Sequence, residues 1–466
     1  MSEVAVIASL IKRARTAQAV ADTFNQKQTD RLCAAAAWAI MEPSRNRALA
    51  ELAVRDTGLG NVDDKIHKNH RKTLGLMRDL HGAKSVGVIA ENFASGITEI
   101  ARPVGVVGAI TPSTNPGATP ANMIINAMKG RNAIILAPSP KGASTAELLL
   151  RYVYAEFDRI GAPHGLVQVL PSPVSKALTH ELLQQVDLIV ATGSQANIRA
   201  AYSSGKPAFG VGAGNVAVIV DTSADLAAAA ERIVRSKVFD NATSCSSENS
   251  VVIVDDIYDA MIAALEAQGC VLLGASEKAQ LQKIMFPSGK LSAAITAKTA
   301  SEIATAAGLN RATTARVLMV DETGIGAEFP FSGEKLSPVM TIYRATDFGA
   351  ATQIVNDIYG YQGAGHSVGI HASPEHADQL ALQLGLTLPV ARVIVNQAHC
   401  IATGGSFDNG LPFSLSMGCG TWGGNSFSDN LTYRNFLNIT RIARPIPLSV
   451  PTESVLFADY FAHVNR

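Results

Sequence analysis

Val104-Gly105-Val106-Val107-Gly108-Ala109-Ile110, closed by Thr111-Pro112, is the stretch that decides the fold. It is a short, almost wholly apolar run that ends in a turn. An Ala/Asn/Met helix follows over Pro120–Lys129, then a second apolar run, Asn132–Ala137, then a helix over Thr145–Ile160. The runs Leu166–Leu170, Leu188–Ala191 and Val216–Val220 continue the alternation. Buried runs of this kind, separated by helices of about 10–15 residues, predict a parallel, doubly wound sheet with right-handed crossovers. Upstream, the chain reads as helix, with alanine-rich spacing over Thr29–Ile40 and Arg45–Arg55 and a glycine stop at Thr57-Gly58-Leu59-Gly60. Downstream, a second α/β block starts near Leu226, with helix Leu226–Val238, strand Val251–Val254 and helix Ile257–Gln268, and runs to about Leu415.

The expected architecture is therefore α/β, with two doubly wound units over 1–225 and 226–425 and a return segment over 426–466. Gly418–Asn425 is glycine-dense and reads as a loop. The end of the chain is apolar and punctuated by Pro445, Pro447 and Pro451, which suits packing on another subunit or on its own domain.

Composition bounds the function. In 466 residues, 47% hydrophobic content against 17% charged supplies a sizeable core and excludes wholesale disorder. Lys+Arg and Asp+Glu are both 39, so there is no basic footprint for nucleic acid or a membrane surface. Five unevenly spaced cysteines without a CxxC pair suit neither a disulfide framework nor a structural zinc site. The start of the chain lacks a signal-type apolar run, and no stretch reaches the length of a membrane helix. The expectation is a soluble cytoplasmic enzyme.

Four segments can carry chemistry. Cys245 sits in Phe239-Asp240-Asn241-Ala242-Thr243-Ser244-Cys245-Ser246-Ser247-Glu248, among small and hydroxyl residues, with no cation close in sequence to lower its pKa. It reads as a nucleophile or as a buried structural cysteine. Gly210-Val211-Gly212-Ala213-Gly214 precedes a strand, so it is no dinucleotide fingerprint; close backbone approach or a plain turn remain. Thr192-Gly193-Ser194 follows a strand and opens a helix, which suits phosphate binding or simple capping. Thr111-Pro112-Ser113-Thr114-Asn115-Pro116 lies at a strand end, where open α/β sheets bind ligands; Asn115 is a candidate amide donor or a turn residue. His67 and His70 lie among lysines and arginines on a helix expected to be solvated, and no histidine spacing suits a metal.

Together these segments resemble the aldehyde dehydrogenase superfamily, in its coenzyme-A-acylating branch, from about Arg102 to about Asn430. The matching stretches are PVGVVGAITPSTNP, DLIVATGSQANIRAAYSSGKPAFGVGAGN, FDNATSCSSE, EKLSPV and MGCGTWGGNS, in the family's order. The resemblance implies that Cys245 is the nucleophile and that Asn115 and the Cys245 backbone N–H form the oxyanion hole. It implies that Thr192, Gly193 and Ser194 hold the cofactor pyrophosphate, that Glu334 binds the nicotinamide ribose and that Leu336 stands beside the nicotinamide. Thr111, Pro112, Ser113, Ser139, Lys141 and Gly212 complete the implied cofactor site. No metal is implied.

Two departures from the family pattern bear on the chemistry. Hydrolytic members carry a Glu general base where this chain has Gly210, and general-base assistance is worth about 10²–10⁴-fold. A thioester at Cys245 then goes to coenzyme A instead of water, and a Gly210→Glu exchange is expected to raise acid release. Where hydrolytic members read Lys-Pro-Ala-Glu, this chain has Ala137-Pro138-Ser139-Pro140; loss of that Glu permits NADP, with Ser139 and Lys141 near the 2′-phosphate and NAD as the other option. The whole-chain resemblance looks closest to acylating sulfoacetaldehyde dehydrogenases. It implies a short polar aldehyde, sulfoacetaldehyde first, with acetaldehyde, propionaldehyde or succinate semialdehyde behind it. Arg55 and His399 are the candidates to meet a sulfonate. Different classes are a hydrolytic dehydrogenase or an inactive binding protein. A homodimer or homotetramer is expected.

Overall fold

The computed structural model describes residues 2–212 and 214–464. Four helices come first: α1 (Glu3–Asp22), α2 (Gln26–Met41), α3 (Pro43–Thr57) and α4 (Val62–Leu80). Side chains of Ser2, Asn25, Glu42 and Asn61 cap their N-termini, and Gly58 ends α3 at φ +68°, a conformation glycine adopts without strain.

Two strands, β1 (Gly87–Asn92) and β2 (Ile97–Pro103), then form an antiparallel hairpin. The opening apolar run becomes β3 (Val106–Thr111), followed by α5 (Ala118–Lys129), β4 (Ala133–Pro138), α6 (Ala143–Ile160), β5 (Val167–Val169), α7 (Lys176–Gln185), β6 (Leu188–Thr192), α8 (Gln195–Tyr202) and β7 (Ala208–Val211). These strands form a parallel sheet in the order β5-β4-β3-β6-β7. The chain leaves β3 to one side and returns to its other side with β6. This switch opens a crevice at the carboxyl ends of β3 and β6, where ligands of open α/β sheets bind.

The second sheet contains β8 (Val216–Val220), β9 (Glu248–Val254), β10 (Cys270–Leu273), β11 (Val317–Asp321), β12 (Val339–Ala345), β13 (Val368–His371) and β14 (Val393–Val395), all parallel, in the order β10-β11-β12-β9-β8-β13-β14. Helix α9 (Leu226–Val238) joins β8 to β9. Val216–Val220, which the alternation assigns to the first block, lies at the heart of this second sheet, paired with β9 and β13. The sheets thus change between Val211 and Val216, ahead of the 225/226 boundary suggested by the sequence. An apolar run reports burial in some sheet, not in which one.

The last strand, β15 (Leu437–Ala443), pairs antiparallel with β2. Leu431 and Phe436, just before it, are buried in the core of the first sheet. Beyond β15, Leu448, Val450 and Leu456 are exposed.

Candidate active site

The sheets meet end to end in chemical terms. Thr111, Ser139 and Thr192 lie at the carboxyl ends of β3, β4 and β6. Gly214, Cys245, Glu334 and His366 lie in the loops that enter β8, β9, β12 and β13. The carboxyl edge of one sheet and the amino edge of the other therefore supply the two halves of one site.

Cys245 is half-buried and forms no disulfide. Its Sγ lies 3.5 Å from His366 Nε2. His366 Nδ1 is 2.7 Å from Ser367 Oγ, which is 2.8 Å from His399 Nε2. Burial, then the Glu334 carboxyl, pushes the Cys245 thiol up to about 12, and burial holds His366 down at about 3. The resting pair is thus a neutral thiol and a neutral imidazole. Gly214 closes the back of the site: a Cβ there would stand 2.2 Å from the Cys245 carbonyl oxygen. Its N–H donates to Glu334 Oε1 at 3.2 Å, and burial raises the Glu334 carboxyl to about 8. The Glu334 N–H donates to Gln362 Oε1 at 3.1 Å.

The loop before Cys245 is strained and strongly held. Asp240, Asn241 and Ala242 all have positive φ, at 50°, 52° and 58°. Such a run of non-glycine residues persists only where its surroundings over-determine it. Here the Asp240 N–H donates to Asp64 Oδ2 at 2.7 Å, and Asn61 N donates to Asp240 Oδ1 at 3.0 Å. Lys65 and Lys68 both reach Asp240 Oδ2, at 3.0 and 2.6 Å, and Thr243 Oγ1 donates to it at 2.7 Å. Those cations hold the fully buried Asp240 below the usual carboxylate range against the desolvation that opposes it. Lys68 Nζ also donates to Asn115 Oδ1 at 2.8 Å. With its oxygen so engaged, Asn115 keeps its amide N–H₂ for another acceptor.

Asn115 lines a cavity together with Lys68, Arg71, Lys72 and the two neighbours of Cys245, Ser244 and Ser246. Helix α4, expected to be solvated, instead buries its lysines: Lys65, Lys68 and Lys72 are 3%, 5% and 7% exposed. The missed signal was spacing, since 65, 68 and 72 recur at i, i+3 and i+7, one face of a helix. Arg55 and His399 do not fill the role proposed for them. Arg55 is exposed and paired with Asp56 at 2.8 Å; its place on the last turn of α3 points it to solvent. His399 is buried behind Ser367, and burial keeps it neutral.

The expected cofactor residues cluster at the crevice. Thr111 Oγ1 and Ser139 Oγ are buried without hydrogen-bond partners, on adjacent strands that pair Thr111 with Pro138. Orphaned hydroxyls at strand ends fit a polar ligand such as a dinucleotide. Pro112 and Ser113 follow Thr111, and Lys141 is exposed two residues past Ser139. Ser194 caps α8 by accepting from Asn197 N at 3.4 Å, and Thr192 Oγ1 lies 2.7 Å from Ser416 Oγ. A Cβ on Gly212 would meet the movable amide end of Gln195, and Leu336 holds φ +42°. Among the described residues, no group of three or more His, Cys, Asp or Glu is arranged to hold a metal ion, and no helix is long and apolar enough to cross a membrane.

Gly210 is locked in place. Tyr202 Oη accepts from Gly210 N at 3.0 Å and donates to Gly210 O at 3.2 Å. A Cβ at 210 would lie 2.8 Å from Ile198 and 2.9 Å from the Tyr202 ring, on the side facing α8. In this packing a side chain at 210 is directed at α8.

Comparison with known proteins points to one family. A family model described as "Aldehyde dehydrogenase family" matches residues 2–323. The sulfoacetaldehyde dehydrogenase (acylating) of Cupriavidus necator is 65% identical over 463 residues, 99% of this chain and 93% of that protein. That of Bilophila wadsworthia is 40% identical, over 99% of each chain. The crystal structure of an acetylating aldehyde dehydrogenase from Geobacillus thermoglucosidasius matches with a TM-score of 0.92 at 35% identity, covering 97% of this chain and 98% of that one. On the family model and on relatives this similar over nearly its full length, the chain belongs to the aldehyde dehydrogenase family.

Proposed function

We propose that this chain is a coenzyme-A-acylating dehydrogenase that oxidises sulfoacetaldehyde to sulfoacetyl-CoA with NADP, through a thioester on Cys245. The observation that carries the acylating reading is that Gly210 stands where hydrolytic members of the family carry their Glu base, in a packing that directs a side chain at this position toward Ile198 and Tyr202 of α8. Without a base at that position, water lacks the positioned help that acid release needs. The 65% identity to an acylating sulfoacetaldehyde dehydrogenase supports the substrate.

The residues divide the work as follows. The Cys245 sulfur bonds to the aldehyde carbon while its proton passes to His366 Nε2, whose Nδ1–H then donates to Ser367 Oγ. Because burial disfavours thiolate and imidazolium alike, the proton moves as the C–S bond forms, not before it. The developing oxyanion is held by the Asn115 amide, which Lys68 orients, and by the Cys245 N–H; one such donor is worth about 3–4 kcal/mol. A bound nicotinamide supplies the two-electron acceptor, and the thiol of coenzyme A supplies the acyl acceptor. Thr111, Pro112, Ser113, Ser139, Thr192, Gly193, Ser194, Gly212, Glu334 and Leu336 would hold the dinucleotide. Lys141, with Ser139 and no carboxylate at that strand end, favours NADP over NAD. The exposed apolar chain end after β15 supports a homodimer or homotetramer, and a cytoplasmic location fits five cysteines that form no disulfide.

The test follows reduced nicotinamide by its near-ultraviolet absorbance, with sulfoacetaldehyde, NADP or NAD, and with or without coenzyme A. Sustained turnover only with coenzyme A is expected. Turnover indifferent to coenzyme A would sink the acylating reading, and no reduction under any combination would sink the enzyme.

A further inference from the structure

Helix α4 presents three cations to the cavity beside Cys245, and they are not equivalent. Lys68 has a carboxylate partner in Asp240, which it shares with Lys65. Arg71 and Lys72 have no carboxylate partner among the described residues. Arg71 donates to Ile401 O, Gly405 O and Ser406 Oγ at 3.2, 3.3 and 3.0 Å. Lys72 donates to Gly404 O at 2.7 Å and Gly405 O at 3.4 Å. Both lie over the Phe413 ring at 5.5 Å. The charged groups that also act on them are Lys68, Arg235 and exposed Asp408, with the Cys400 thiol alongside, so positive charge predominates. Carbonyls and an aromatic face orient a cation without neutralising it. A buried cation in that condition calls for an anion. Burial and Arg71 push the Lys72 ammonium down to about 7, a state that an incoming anion would reverse.

The positions along the helix matter too. Lys68 serves the aldehyde end of the cavity through Asn115. Lys72 is four residues on, about 6 Å along the axis. That separation suits an aldehyde and an acid group joined by a short spacer.

We propose that Arg71 and Lys72 bind the terminal acid group of the substrate while Lys68 holds Asn115 on the aldehyde oxygen, so that one face of α4 reads both ends of a short anionic aldehyde. This rests on the reading of Cys245 as the acylated residue. The shared chemistry is a terminal oxyanion, sulfonate or carboxylate.

The experiment uses the full-length protein and the variants Arg71→Gln, Lys72→Met and the pair. Turnover of sulfoacetaldehyde and acetaldehyde is compared with NADP and coenzyme A. Each single variant is expected to lower kcat/KM for sulfoacetaldehyde about 10- to 100-fold, with acetaldehyde changed no more than about threefold. Equal losses on both substrates, or no loss on sulfoacetaldehyde, would overturn the proposal. Should the variants fail to fold, calorimetry on the wild-type protein decides it. Binding of ethanesulfonate or propionate, with ethanol not binding, supports an anion site, and the stronger anion identifies the acid group. If neither anion binds, the proposal fails. Failure of the Cys245 reading shows separately, as mass spectrometry finding no acyl adduct on Cys245 with acetaldehyde and oxidised cofactor, while calorimetry still reports on the anion site.

Discussion

Sγ of Cys245 and Nε2 of His366 lie 3.5 Å apart although 121 residues separate them in the chain. The contact exists because both residues enter neighbouring parts of one sheet, ahead of β9 and β13, with β8 between. Cys245→Ala is expected to abolish acyl-CoA formation. His366→Ala should retain the fold and lose about 10²–10⁴-fold in rate, the usual contribution of a positioned base. Mass spectrometry of enzyme mixed with aldehyde and oxidised cofactor, without coenzyme A, should find the acyl group on Cys245. An adduct on any other side chain would contradict this.

The packing around Gly210 argues against one expectation from the sequence. Gly210→Glu does not install a base, because its Cβ meets Ile198 and Tyr202. We expect destabilisation of about 1–3 kcal/mol, as for overpacking, and no rise in acid release. Denaturant midpoints and product analysis check both parts. A stable variant that releases acid would show that the loop can turn this position toward the thioester.

Asp240→Asn leaves Lys65 and Lys68 without their shared counter-charge in a buried setting. Losing one member of a buried ionic cluster costs about 3–5 kcal/mol. The variant should also lose rate, because Lys68 then holds Asn115 less firmly. A denaturation midpoint equal to wild type would remove Asp240 as the anchor of the loop.

Stability should fall in mild acid. His366 and His371 titrate at about 3 and about 4 in the native state against an ordinary 6.5, and His399 lies well below it too. Below 6.5 the unfolded chain takes up protons that the native state refuses. Each histidine therefore contributes a loss of up to about 1.4 kcal/mol per pH unit, until its native pKa is reached. Glu334 and Glu248 work in the opposite sense, from 4.5 up to about 8 and about 7, since burial makes their native forms keep the proton there, but they are two groups against three and offset only part of the loss. Melting temperature measured from about pH 7 to pH 5 should drop, and His371→Gln should flatten the slope. A wild-type curve that is level over this range would refute the argument.

Lys72→Met tests a separate consequence of burial. Its ammonium sits among backbone carbonyls, and an apolar side chain of similar length leaves Gly404 O with one partner fewer. Removing a desolvated charge offsets that loss, so the variant should melt within a few degrees of wild type. Calorimetric melting checks it; a collapse of the fold would mean that the lysine is structural.

Local pattern was enough for much of this molecule. The apolar runs and their helical spacers specify parallel sheets because burial on both faces requires continuous hydrophobic strands, a property each segment carries alone. Cys245 and Asn115 were ambiguous as local signals, and only the family resemblance assigned them roles. Other features arise only on folding. Val216–Val220 reads like any buried strand, and pairing with β9 and β13 places it in the second sheet. The charges of α4 suggested solvent, because a lysine is normally exposed unless paired. Their burial depends on Asp240, whose carboxylate comes from 172 residues away, and on the carbonyls of Gly404 and Gly405, more than 330 residues away. His366 gave no local sign of its place beside the sulfur. Periodicity encodes which side of an element is apolar; which distant groups meet is set by sheet order and loop packing, and no window of sequence contains both partners.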